Sequence, residues 1–90
     1  MAEKKPMNEK TIRALIEAGA IKKVQLIASG ASLHVNMVTH NGTVTATTNK
    51  GHIKTWASID TSARWLRRMG IGKVDLEISK WMPYQVRMDI

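Results

Sequence analysis

Between residues 23 and 48 the apolar side chains recur at every second position, and the breaks in that rhythm fall at turn-forming residues. This commits the middle of the chain to strands. Val24, Leu26 and Ala28 alternate with Lys23, Gln25 and Ile27 up to a turn over Ser29, Gly30, Ala31 and Ser32. Leu33, Val35 and Met37 then alternate with His34, Asn36 and Val38. Asn41-Gly42 follows, the strongest short-range signal for a two-residue hairpin turn. Residues 43–48 are rich in Val and Thr, which suit a pleated surface, and Asn49-Lys50-Gly51 marks a further turn before residues 52–57. The reading is a four-stranded antiparallel meander.

Helical spacing brackets this region. Asn8 is placed to cap a helix whose Ile12, Leu15 and Ile16 form one apolar stripe, with Gly19 to stop it. Ser58 is placed to cap a second helix, Gly70 to close it in a left-handed conformation, and Ile71 to fold back. At 100° per residue, Ile59, Ala63, Leu66 and Met69 share one arc, while Arg64, Arg67 and Arg68 share the opposite one. Val74, Leu76 and Ile78 then alternate with Lys73, Asp75 and Glu77 as a strand suited to a sheet edge. The fold class is α+β: a helix, a four-stranded antiparallel meander, a helix, then a further C-terminal strand. Residues 1–7 read as a flexible basic N-terminus and residues 8–79 as one domain. Residues 80–90 read as a docked tail or dimerisation strand, because Trp81, Met82 and Tyr84 flank Pro83 and because Val86, Met88 and Ile90 alternate.

Ninety residues, 43% of them hydrophobic, make one small domain. A domain of that size buries only about 60% of its unfolded surface, and a homodimer that covered the sheet edges would add to its stability. There is no Cys, so disulfides and thiolate metal sites are excluded. No apolar run reaches the roughly 18 residues of a membrane span, and MAEKKPMNEK has no apolar stretch behind its lysines. The expected setting is the cytoplasm, with no membrane contact. Fourteen Lys and Arg against seven Asp and Glu leave a charge of +7, a field that attracts polyanions or serves solubility alone.

Signals for chemistry are scarce. His34, His40 and His52 match no zinc spacing and read as surface or cross-strand residues. Asp75 and Glu77 share a strand face without a third partner, as on a solvated surface. Ser58 and Thr61 lie at a helix start, where hydroxyls satisfy backbone donors. Gly70-Ile71-Gly72 follows a helix, whereas a phosphate-cradling loop precedes one. No catalytic residue, cofactor or metal ligand is expected.

The arginine face carries the functional reading. Its bland explanation is structural: Asp60 sits four residues before Arg64, and cations suit a helix C-terminus for about 0.3–1 kcal/mol each. Against that, Lys50, His52 and Lys54 add positive charge on the turn and strand leading into the same helix, so two basic elements could meet one phosphate backbone. Arg64, Arg67 and Arg68, helped by Lys50 and Lys54, are the expected phosphate contacts, and Trp56 is the candidate for stacking on bases. In a chain with no Phe, Trp56 and Trp65 are also scarce core volume, and packing is the favoured role for such rings.

The run KGHIKTWASIDTSARWLRRMGIGKVDLEIS, together with IRALIEAGAIKKV near the start, resembles small plasmid partition-associated proteins of the ParC-like family over about residues 9–79. The resemblance implies an accessory of plasmid partition or maintenance acting near DNA, without enzymatic activity. The tail from Lys80 falls outside it. The order helix, three strands, helix also resembles double-stranded-RNA-binding domains. There, however, a lysine cluster opens the last helix, where this chain has Ser58, Ile59, Asp60 and Thr61. The sequence reading is therefore a nucleic-acid binder, with DNA favoured over RNA. The competing class is a protein-interaction adaptor that captures a protein partner through sheet edges and the apolar tail.

Overall fold

A computed structural model describes residues 5–82 of the chain. In chain order the elements are β1 (Lys5–Asn8), α1 (Glu9–Glu17), β2 (Ile21–Gly30), β3 (Ser32–Thr39), β4 (Gly42–Thr47), α2 (Ile59–Arg68) and β5 (Asp75–Trp81). The strands form one mixed sheet in the order β1-β4-β3-β2-β5. The β2–β3 and β3–β4 pairs are antiparallel, while β1 lies parallel to β4 and β5 parallel to β2. Each helix is thus a crossover between parallel strands three places apart: β1 to β2 through α1, and β4 to β5 through α2.

The period-two pattern determines the sheet's two faces. Val24, Leu26 and Ala28 on β2, Leu33, Val35 and Met37 on β3, and Val44 and Ala46 on β4 are buried. They form one cluster with Ile12 of α1 and with Trp65, Leu66 and Met69 of α2 and its cap, so both helices pack on that face. On the opposite face Asn36 is buried and accepts a hydrogen bond from the Thr45 hydroxyl at 2.9 Å, which satisfies a polar pair that would otherwise be costly. Both helices begin and end in the same way. The Asn8 and Ser58 side chains accept from the backbone N–H of Thr11 and Thr61, at 3.0 and 3.2 Å. Gly19 and Gly70 take φ of +71° and +97°, and the next residues, Ala20 and Ile71, donate back to Leu15 and Leu66, each at 3.0 Å. No helix among the described residues is long and apolar enough to cross a membrane.

The α+β class, both helices, their caps and the last edge strand agree with the sequence reading; the meander does not. Residues 52–57 make only isolated bridges, Leu33 to Trp56 and Thr47 to Ile53. The reason is occupancy: β1 pairs along β4 from Lys5–Val44 to Asn8–Thr47 and takes the edge that a fourth meander strand would need. The part of residues 1–7 that is described is therefore a strand from Lys5 onward and not a flexible terminus. The β3–β4 turn is centred one residue early, on His40 and Asn41, with Gly42 opening β4 at φ +123°. Trp81 belongs to β5 and pairs with Gly30. Of the expected tail or dimerisation strand over residues 80–90, Lys80 also belongs to β5 and the Met82 N–H donates to the Gly30 carbonyl at 2.7 Å; residues 83–90 lie outside the described residues.

The packing arc of α2 also differs. Ser62, Trp65, Leu66 and Met69 are buried while Ala63 is exposed, so the helix is rolled toward Trp65. A tryptophan buries about 150–250 Å², far more than an alanine can, and this favours the roll. Ser62 tolerates the core because its hydroxyl donates to the carbonyls of Ser58 and Ile59, at 3.1 and 2.9 Å.

Candidate nucleic-acid interface

The structure divides the expected site residues into two groups and leaves Lys50 apart from both. Arg64, Arg67 and Arg68 project from the exposed face of α2. Arg64 pairs with Asp60 at 3.1 Å, with both side chains about 70% exposed, a pair worth about 0–1 kcal/mol. Arg67 and Arg68 take part in no ion pair among the described residues. Both sit in the last turn of the helix, where its dipole welcomes cations.

Lys54 reaches α2 through the aromatic residues. Its Nζ lies 5.4 Å from the Trp56 ring centroid and 5.9 Å from that of Trp65, and the two rings stand 5.0 Å apart at 50°. Cation–π attraction of about 0.5–2 kcal/mol holds the ammonium there. Trp65 is buried, and its indole N–H donates to Glu9 Oε1 at 3.0 Å, tying α2 to the first turn of α1. Arg13 pairs with the same carboxylate at 2.8 Å. These two hydrogen bonds, the Arg13 one foremost, hold the Glu9 carboxyl below its ordinary pKa, and the charges of Arg13 and Lys54 add to the effect. Trp56 is half-buried and packs against the core, so its ring does more structural work than a free stacking platform. Lys50 is exposed on the turn at residues 49–51, and among the described residues no ion pair joins it to α2.

A basic group the sequence reading passed over lies at the other end of the helices. Both helices run back from the ends of β1 and β4 to the starts of β2 and β5, so their C-terminal loops meet. There they line an open cleft of about 480 Å³ with Lys22, Lys23 and Lys73. Ile71 and Gly72 separate this cleft from a groove of about 390 Å³ beside α2 that Arg64 and Arg67 line. Lys23 is partly occupied by Asp75 at 3.3 Å. Nothing in residue spacing could have joined positions 22 and 73; the parallel crossovers bring them together.

His34 lies on β3, His40 in the β3–β4 turn and His52 beyond the next turn. The described residues contain no group of three or more His, Cys, Asp or Glu able to hold a metal. No family model, no curated protein and no solved structure matches this chain.

Proposed function

We propose that the protein binds nucleic acid, with DNA favoured over RNA, through phosphate contacts made by α2 and the adjoining cleft. The observation that supports this most is two sets of exposed cations, Arg64, Arg67 and Arg68 on α2 and Lys22, Lys23 and Lys73 around the cleft at its C-terminal loop, with carboxylates at Asp60 and Asp75 only partly offsetting them. Such a surface contacts the backbone without reading bases, and helices of this length, about 15 Å, span several phosphates. Lys54, seated over Trp56 and Trp65, adds charge beside the same helix, and Lys50 contributes to the general field only. The role is binding without catalysis, in the cytoplasm. The setting we propose is plasmid partition or maintenance, the role that the resemblance of residues 9–79 to ParC-like proteins implies.

The test is fluorescence anisotropy with labelled single- and double-stranded DNA across a salt series. Duplex affinity should fall with a log–log slope of about −0.9 per neutralised phosphate. Replacing Arg64, Arg67 and Arg68 together by Ala should lower the magnitude of that slope by about 2–3. An unchanged slope in a folded triple variant would remove α2 from the interface, and no binding at low salt would end the nucleic-acid reading.

A further inference from the structure

We infer that the shelf between α2 and β5 is the docking site for an acidic amphipathic helix of a partner protein. Neighbouring strands lie about 4.8 Å apart and packed helices about 10 Å apart, so two helices roof about four strands. This sheet has five, and the strand left bare is β5, whose residues 75–80 are all exposed. By contrast, β1 at the other edge packs the half-buried Met7 against the core.

The bare strip is apolar on the helix side. Leu76 pairs with Leu26 and therefore shares the face that carries the core, yet Leu76 is 46% exposed and Ile78 48%. Beside α2 runs a groove floored by Leu26, Leu66, Ile71 and Val74; it reaches the start of β5 through Val74 and through Leu26, the partner of Leu76. Its α2 wall carries Ala63, exposed and small enough to admit a neighbouring backbone, flanked by Arg64 and Arg67. An apolar floor with a guanidinium wall is complementary to a helix with one apolar stripe edged by Asp or Glu.

The same features disfavour the other occupants. A second copy would bring its own Arg64 and Arg67 to the shelf of a chain that already carries +7. Strand addition to β5 meets a register shift between the Ile27–Glu77 and Ser29–Lys80 pairs, and Lys80 beside it; both are features that blunt an edge. The inference stands without the nucleic-acid reading. Where both hold, the partner helix and DNA compete for Arg64 and Arg67.

The probe is a synthetic peptide of Leu and Glu with all Leu on one helical face, beside a permuted peptide of the same composition that forms no such face. Each is titrated into the isotope-labelled full chain and followed by NMR and by peptide anisotropy. The patterned peptide should gain helicity and shift the signals of Ala63, Arg67, Val74, Leu76 and Ile78. Leu76→Asp should weaken it at least about tenfold, and so should Ala63→Glu, a surface change on a helix that leaves the fold intact. DNA affinity tests the earlier reading separately, through Lys22→Ala and Lys73→Ala, which lie outside the shelf. Equal binding of the permuted peptide, or binding that survives both shelf variants, would overturn the inference. So would Leu76 and Ile78 methyls already shielded from a soluble paramagnetic probe in the free chain, whether by a second copy, seen as a dimer in sedimentation, or by the chain's own terminus.

Discussion

The two crossover units, β1–α1–β2 and β4–α2–β5, share one local construction and present different surfaces. Each helix is capped by a polar side chain accepting from the third helical N–H, and each is closed by a left-handed glycine with the following residue folded back. The α1 helix commits one residue, Ile12, fully to the core, and its solvent face mixes Glu9, Lys10, Arg13 and Glu17. The α2 helix commits Ser62, Trp65 and Leu66 and shows solvent one acid and three arginines. Capping and closure are backbone requirements that any helix must meet, so they say nothing of purpose. The unit that differs in surface charge, and whose following strand is left uncovered, is the one that carries both proposed interfaces.

The largest expected break in this symmetry is in the core. Leu66→Ala should cost about 2–5 kcal/mol of unfolding free energy, because Leu66 is 1% exposed and its cavity is lined by both helix and sheet residues. Ile12→Ala should cost a similar amount although α1 buries little else, and urea titration of the two variants checks whether the two units depend equally on one cluster. A cost far below that range for Ile12→Ala would mean that α1 is only loosely held.

Next come the closing glycines. Gly19→Ala and Gly70→Ala should each cost about 1–2 kcal/mol from the left-handed backbone alone, since an added Cβ would meet nothing within 4 Å at either position. Thermal melts should show nearly equal shifts; a much larger shift for one would reveal a contact specific to that unit. The caps follow. Asn8→Ala and Ser58→Ala should each lower stability by about 1 kcal/mol, and Ser58→Asp should retain it.

The smallest effect lies in the link between the two helices. Because the Glu9 carboxyl is held below its ordinary pKa of 4.5 when folded, its contribution is complete above that value and is lost as the pH falls through the lowered one. Glu9→Gln should therefore flatten the acid limb of the stability curve below about pH 4.5 and leave the limb above pH 6 parallel to that of the parent chain. Acid-induced unfolding followed by Trp fluorescence reads this directly, because Trp65 is the partner.

Much of the fold was legible along the chain. Caps and closures are contacts between residues three to five apart, and strand faces follow from period two, so Asn8, Ser58, Gly70 and the alternation from Val24 to Met37 could be read in place. The phase of α2 was misjudged by one position because wheel geometry weighs residues equally, whereas packing weighs them by buried area, and Trp65 dominates. Of the site, Arg64, Arg67 and Arg68 could be seen as one exposed face. Lys54 was recognised as basic but not as seated over two indole rings, a geometry set by the Leu33–Trp56 bridge.

The sequence alone determined the two helices with their caps and closures and the alternating faces of β2 and β3, because those features rest on local hydrogen bonds and periodicity. Only the tertiary structure decided which strands are neighbours. Parallel pairing joins residues far apart in the chain, and a short polar segment at residues 5–8 carries no periodic signal that it will take the edge of β4. That one pairing displaced the fourth meander strand. The two long crossovers then gathered Lys22, Lys23 and Lys73 at the helix C-termini, and a sheet one strand wider than its helical roof left Leu76 and Ile78 in the open.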